Sequence, residues 1–366
     1  MRTPATNFLA SVGWADKKQK IPMRPDHAFR IGSVTKTFTG IISAQLHVEG
    51  KLNTDALMTN YLPVSITRHF PNSERITLRQ MTRHTSGIRD FNDSVAYMLN
   101  RRLFSRRGDW PPMRDLSYAY DKPARFSPGE GWDYSNSNFL MLGLMIDQVT
   151  GHHHSVEIRQ RILEPLNLTN TYYELSEPAR GELAHGYERH FGFWEDATGW
   201  TPVVGGSSGM VSTVTDLATF VRAVAGTNSF LDEPTRKLLK SQIRKGNADQ
   251  PWYPVSGYDF GVSVNVPAEN DVPFFFGHAG GTSGYLCFAW HEPQHDITIA
   301  FFGSSSLVDA FHQRRNYEFQ HLLEKALFEL TIEEMRHATD AAVKAKVEQI
   351  LSVSDSLKCG SLNRPL

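Results

Sequence analysis

Cysteine is scarce in this chain: 366 residues carry only two, Cys287 and Cys359, and these lie far apart. That excludes a disulfide framework as the source of stability and makes a reducing compartment the simpler setting. An excess of charge of either sign is also missing, since 38 Lys and Arg face 39 Asp and Glu, for a formal net charge of -1. Such a balance offers no general field for nucleic acid or an anionic membrane, and no polyanionic partner is expected. No run reaches the roughly 18 uninterrupted apolar residues that a membrane-spanning helix needs. Met1 to Asp16 show no basic start followed by a long apolar run, so no secretory leader is read there. The chain as written is expected to be cytoplasmic, or periplasmic or secreted if a leader has been trimmed. Internal repeats and low-complexity linkers are absent too. What remains is ordinary globular composition, 40% hydrophobic and 21% charged, long enough for one large domain or two lobes around a core.

Helical periodicity is clearest after Gly32, where Phe38, Ile41, Ile42, Leu46 and Val48 recur at a spacing near ~3.6 and Gly50 supplies the stop. Ser33 is thereby placed in the first turn of a buried helix. Further helices are expected over Leu78 to His84, Ser137 to Thr150, Ser155 to Leu163 and Thr215 to Ala225. Between Arg89 and Pro128 the pattern is broken by Pro111, Pro112 and Pro123 and reads as irregular helical structure over a cleft. Strand character takes over at Phe274 to Gly277, Tyr285 to Trp290 and Ile297 to Phe302, and an amphipathic helix is expected over Val308 to Leu330. Helices in the middle and a late hairpin series suggest an α+β sheet lobe interrupted by a helical lobe.

Ser33-Val34-Thr35-Lys36 sets a hydroxyl and an amine on one helix face, because residues three apart are neighbours there. A serine hydroxyl is a weak nucleophile that needs a nearby base and a place for the developing oxyanion. A half-buried Lys has its pKa lowered and can take a proton, and a helix N-terminus supplies free N–H groups. Ser-x-x-Lys alone is a short and common pattern. Two more segments give it company. Phe126 to Phe139 is a Pro-Gly turn running into Tyr134-Ser135-Asn136, where a phenol beside the Lys can relay the serine proton and an amide can hold a substrate carbonyl. Gly277-His278-Ala279-Gly280-Gly281-Thr282-Ser283-Gly284 is placed at a strand end, its glycines allowing a substrate backbone to approach.

In that order, Ser33-Val34-Thr35-Lys36, Tyr134-Ser135-Asn136 and His278-Ala279-Gly280 resemble the three motifs of class C β-lactamases and DD-peptidases, a family that includes D-aminopeptidases and family VIII carboxylesterases. The flanks Phe29 to Gly32, Ile76 to Ile88, Ile162 to Leu168 and Gly205 to Thr213 agree, and the likeness runs from about Trp14 to Leu330. The resemblance implies an α+β, DD-peptidase/β-lactamase-like fold, with an antiparallel sheet flanked by helices. It divides into a sheet lobe of about 1–70 plus 205–330, an inserted helical lobe of about 71–204 and a helical tail of 331–366. By the same resemblance Ser33 forms an acyl-enzyme, Lys36 takes its proton and Tyr134 serves as general base and acid. Asn136, His278, Gly280 and Gly281 contact the substrate, and the N–H groups of Ser33 and Gly281 form the oxyanion hole. No metal or organic cofactor is implied. The partner would be a small ester, amide, lactam or D-residue peptide. A silent binding homologue is the non-catalytic alternative.

Two departures stand out. The third motif often reads Lys-Thr-Gly, and His278-Ala279-Gly280 lacks both the fixed cation and the hydroxyl that would hold a substrate carboxylate, which favours esters, amides or D-residue peptides over penicillins. The helix and strand that usually precede the segment matching Phe8 to Asp16 are missing, so an edge strand is expected to be lost, replaced or outside this sequence. Other patterns are set aside. Gly205-Gly206-Ser207-Ser208-Gly209 matches a nucleophile elbow, but a helix does not follow at once and no βαβ alternation surrounds it. His291-Glu292-Pro293-Gln294-His295 spells a zinc motif, yet Pro293 and flanking strands make it a hairpin turn. His152-His153-His154 reads as a solvated helix-end turn, and His278 could equally be a satisfied structural histidine.

Overall fold

The apolar stripe after Gly32 folds as helix α1, Thr35–Val48, with Phe38, Ile41, Ile42, Ala44 and Leu46 buried along it. The computed structural model describes residues 1–4, 7–104, 110–190, 193–226, 229–241, 244–245, 257–265 and 275–306. The helix expected over Val308 to Leu330, the tail to Leu366 and Phe274 lie outside the described residues. Helices α2 (Val64–Thr67), α3 (Leu78–Thr82), α4 (Val95–Phe104), α5 (Pro112–Ser117), α6 (Asn136–Thr150), α7 (His154–Ile158), α8 (Val214–Ala225) and α9 (Glu233–Ser241) follow in chain order. Local chemistry sets their ends. Thr77 and Gln80 form a capping box at the start of α3, the Thr213 hydroxyl accepts from the Asp216 N–H at the start of α8, and Gly151 closes α6 at φ +78°. The helix expected over Ser155 to Leu163 is split: α7 passes into a π-turn at Arg159–Leu163.

Strands β1 (Trp14–Asp16) and β2 (Ile21–Pro22) pair with each other. Strands β3 (Ala28–Arg30), β4 (Tyr172–Tyr173), β5 (Tyr187–His190), β6 (Phe193–Asp196) and β7 (Met210–Thr213) build smaller sheets, of which β3-β7-β4 carries the chain into α1. The main sheet is wholly antiparallel and runs β13 (Ile297–Gly303), β12 (Tyr285–Glu292), β11 (Phe275–Thr282), β10 (Val262–Asn265), β9 (Gly257–Asp259), β8 (Arg244–Lys245). Helix α8 lies on β12 and β13, and its Phe220 stacks on Phe38 of α1 with ring centroids 3.7 Å apart. At the outer edge of β13, Arg2 exchanges both backbone bonds with Thr298, each 2.8 Å, so the edge where the sequence reading missed a strand receives a short one-residue bridge.

One expectation needs correcting. The strand expected to stop at Gly277 runs on through the glycine-rich third motif: Gly277 to Thr282 stay in β11, paired residue by residue with β12 from Gly277↔Trp290 to Thr282↔Tyr285, and only Ser283 and Gly284 lie beyond its end. Glycine and alanine carry little strand propensity, so the pattern fades there, but the backbone ladder needs no side chain to continue. The His291 to His295 segment is the β12–β13 turn, as its proline implies. Among the described residues, no helix is long and apolar enough to cross a membrane.

Candidate active site

Ser33 lies in a 3₁₀ turn, Gly32–Val34, that leads directly into α1. Strand β11 runs hard against this turn, which is why both sides are glycine. A Cβ on Gly32 (φ +47°) would sit 2.6 Å from the Gly281 carbonyl oxygen, and one on Gly280 would sit 2.0 Å from that of Ile31. From the other side, the β9–β10 hairpin docks on α1 through Phe260 and Gly261. A Cβ on Gly261 (φ +71°) would come within 2.1 Å of the Lys36 carbonyl oxygen, and the Thr37 hydroxyl donates to the Gly261 carbonyl at 2.5 Å. The first turn of α1 is thus wedged between two parts of the main sheet.

Lys36 is completely buried, and its Nζ has three acceptors: Ser33 Oγ at 2.9 Å, Asn136 Oδ1 at 2.6 Å and the Ser207 carbonyl at 2.9 Å. Burial moves its pKa from 10.5 down to about 7, against the opposing pull of the Asp90 carboxylate. In the amine form two N–H bonds satisfy Asn136 and Ser207, leaving the lone pair toward the serine hydroxyl. The Tyr134 ring lies 5.0 Å from Nζ, and Tyr134, Asn136 and Ser33 are each half-buried above it. Asn136 starts α6, so the Pro-Gly turn before it delivers Tyr134 and Asn136 to α1 from a hundred residues away.

His278 is buried, its ring 6.3 Å from that of Tyr134. Its Nδ1 donates to the Ala279 carbonyl and its Nε2 accepts from the Tyr258 hydroxyl at 3.1 Å. Burial, with Lys36 beside it, pushes its pKa down to about 3, so it is a neutral ring at any ordinary pH. Of the sequence-predicted residues, the structure brings Ser33, Lys36, Tyr134, Asn136, His278, Gly280 and Gly281 to one place. Ser207 is there as well, but through its carbonyl; its side chain is fully buried, which removes it as a nucleophile.

Two residues were missed. Asp90 caps the turn Phe91–Asp93, and its Oδ2 accepts from Asn136 Nδ2 at 2.6 Å. That bond turns the Asn136 oxygen toward Lys36. Burial raises the Asp90 pKa, and the backbone N–H of Asn92 opposes the rise. Nothing in the sequence singles out Asp90, since no local pattern ties position 90 to 136. His84 (φ +58°) is buried with its ring 4.4 Å from Tyr134, and its Nδ1 accepts from the Ser135 N–H at 3.1 Å. It therefore holds the backbone next to the phenol. Its pKa lies well below the usual histidine value because it is buried, so it stays neutral.

Asp90→Asn is expected to lower kcat/KM by about 10- to 100-fold by releasing Asn136. It should also move the ascending limb of the pH profile to lower pH, because the Asp90 carboxylate holds the Lys36 pKa up and its loss lets that pKa fall. A loss of rate with an unmoved limb would reduce Asp90 to a structural cap.

A family model described as Beta-lactamase matches residues 2–322. The chain belongs to the beta-lactamase family. Protein flp of Staphylococcus aureus (strain NCTC 8325 / PS 47) is 31% identical over 196 residues, 52% of this chain and 36% of that protein. The putative penicillin-binding protein PbpX of Bacillus subtilis (strain 168) is 30% identical over 48% of this chain and 41% of its own length. The aligned part thus spans well under half of these relatives. Among solved structures, a D-stereospecific amidohydrolase from Streptomyces sp. superposes with a TM-score of 0.68 at 26% identity, over 80% of this chain and 87% of that one. The D-amino acid amidase from Ochrobactrum anthropi SV3, complexed with L-phenylalanine, reaches 0.71 at 21% identity, over 88% and 93%, and supports the fold alone. The family's serine β-lactamase/DD-peptidase fold is the one described above.

Proposed function

We propose that this chain is a serine hydrolase that opens esters or amides without a carboxylate beside the scissile bond, through an acyl-Ser33 intermediate. The observation that carries the reading is the buried Lys36 Nζ held 2.9 Å from Ser33 Oγ by two further acceptors. As Oγ attacks the substrate carbonyl carbon, its proton passes to the Lys36 amine. The oxygen that gains the electron pair is held by the N–H groups of Ser33 and Gly281. Tyr134 hands a proton to the leaving alcohol or amine, then takes one from the water that attacks the acyl carbon, and Lys36 returns its proton to Ser33 Oγ as the acid departs. Asn136, fixed by Asp90, holds the substrate's own carbonyl. Neutral His278 offers no cation for a substrate carboxylate, so substrates without one at that point are preferred. The likeness to a D-stereospecific amidohydrolase adds D-amino-acid amides to the class.

A panel of p-nitrophenyl butyrate, a D-amino-acid amide and nitrocefin, followed by intact mass, tests this. Ester or amide turnover with a mass increase on Ser33 is expected. Nitrocefin turnover far outpacing both would overturn the substrate class. A fluorophosphonate probe that labels the wild type no better than Ser33→Ala would overturn the enzyme reading itself in favour of a silent binding homologue. The ascending limb of kcat/KM is expected near pH 7, since only the deprotonated amine accepts and its fraction grows as pH rises through the Lys36 value. A rate independent of pH between about 5 and 9 would remove Lys36 as the base.

A further inference from the structure

The triple histidine His152-His153-His154 reads in sequence as a solvated turn, but the fold treats its members differently. Gly151 in the left-handed region turns the chain back at the end of α6, and His153 then caps α7. The reversal lays His154 against Asp147 on the last turn of α6. Asp147 Oδ1 accepts from the His154 backbone N–H at 2.5 Å and from its Nδ1 at 2.9 Å. The His153 and His154 rings lie 4.0 Å apart between centroids. One ring nitrogen of each histidine and a carboxylate oxygen of Asp147 all fall within 4.8 Å of one another.

We propose that Asp147, His153 and His154 form a binding site for one divalent cation of the zinc class. Two imidazoles and a carboxylate, with water in the remaining position, are the donors that suit zinc or its neighbours rather than calcium or magnesium, which prefer all-oxygen shells. Ligand bonds near ~2.0–2.1 Å require donors about 3–4 Å apart, so small side-chain turns would close the set. The remaining nitrogen of His154 is already oriented. Its Nε2 lies 2.9 Å from the hydroxyl of the buried Tyr173, the arrangement by which an outer partner fixes a metal-binding imidazole.

The same hydroxyl touches the loop that serves the serine site. It accepts from the Gly205 N–H at 2.9 Å and faces the carbonyls of Gly205 at 2.6 Å and Ser208 at 2.9 Å. Without metal, the His154 Nδ1–H donates to Asp147 and Nε2 competes with these carbonyls for the single tyrosine proton. A cation on Nδ1 leaves the proton on Nε2, which donates to Tyr173 and frees the tyrosine O–H for a carbonyl. Metal binding would thereby firm the loop whose Ser207 carbonyl accepts from Lys36.

The test is calorimetric titration of the full chain with zinc chloride, with cobalt(II) absorption as a second readout. One equivalent should bind, and Asp147→Asn and His153→Ala should each weaken it at least tenfold, whereas His152→Ala should not. Cobalt should give the intense visible bands of a low-symmetry nitrogen and oxygen site in the wild type only. Asp147→Asn separates a built site from adventitious binding by the histidine run, because it leaves all three histidines in place. Wild-type protein that takes no zinc, Asp147→Asn that binds it as tightly, or His152→Ala that loses as much as His153→Ala would each overturn the proposal. His153 is exposed, so His153→Ala reads binding in a folded protein even if Asp147→Asn proves unstable.

Discussion

Ser33→Ala and Lys36→Met are each expected to lower kcat/KM by about 10⁴- to 10⁶-fold, and the double variant by no more than the worse single one. The reason is geometric. Lys36 Nζ and Ser33 Oγ form one unit at 2.9 Å, so removing either ends the same proton transfer, and losses of this kind do not add. Methionine fills the buried space of the lysine without the amine. It leaves Asn136 Oδ1 and the Ser207 carbonyl short of a donor, at a cost of about 1–3 kcal/mol each, offset in part because no amine need be desolvated. A thermal melt beside the kinetics separates the effects. A Lys36→Met variant that melts close to the wild type yet shows no acyl-enzyme on Ser33 is the expected result. Additive losses in the double variant would mean that the two residues act in different steps.

Gly280→Ala is expected to cost at least about 100-fold in kcat together with a drop in melting temperature. Its new methyl would stand 2.0 Å from the Ile31 carbonyl oxygen and 3.0 Å from Cys287 Sγ, which itself donates to that oxygen at 3.2 Å. Backbone on the far side cannot swing away as a flexible side chain can, so β11 must move off the Ser33 turn, with overpacking typically costing ~1–3 kcal/mol. The movement would carry Gly281 away from Ser33, and the proposed oxyanion site, displaced by about 1 Å, would lose most of its advantage. Gly281→Ala is the control for folding, since the nearest atom to its Cβ is 3.9 Å away. Wild-type activity and stability in Gly280→Ala would show that the contact between β11 and the turn does not matter.

The sequence reading found the helices best where periodicity and end signals coincided. The stripe after Gly32 is α1, and the expected helices at Ser137 and Thr215 begin within one residue of α6 and α8. It failed where a segment is held by partners rather than by its own pattern. β11 runs through Gly280 and Gly281 because β12 supplies the ladder, and β3 and β7 are too short to carry a legible period. Asp90 and His84 were passed over for the same reason, for each matters through an atom on the Tyr134 to Asn138 segment some fifty residues away.

By itself, then, the sequence determined the family, the order of the three motifs and the pairing of Ser33 with Lys36, since these depend on residue identity and on spacing within one helical turn. It left His278 either in contact with substrate or satisfied within the fold. Only the tertiary structure decided that this ring is neutral with both nitrogens engaged, that Lys36 titrates near neutrality and that Asp90 aims Asn136. Charge state and hydrogen-bond direction depend on burial and on neighbours from distant parts of the chain, and those exist only once the chain has folded.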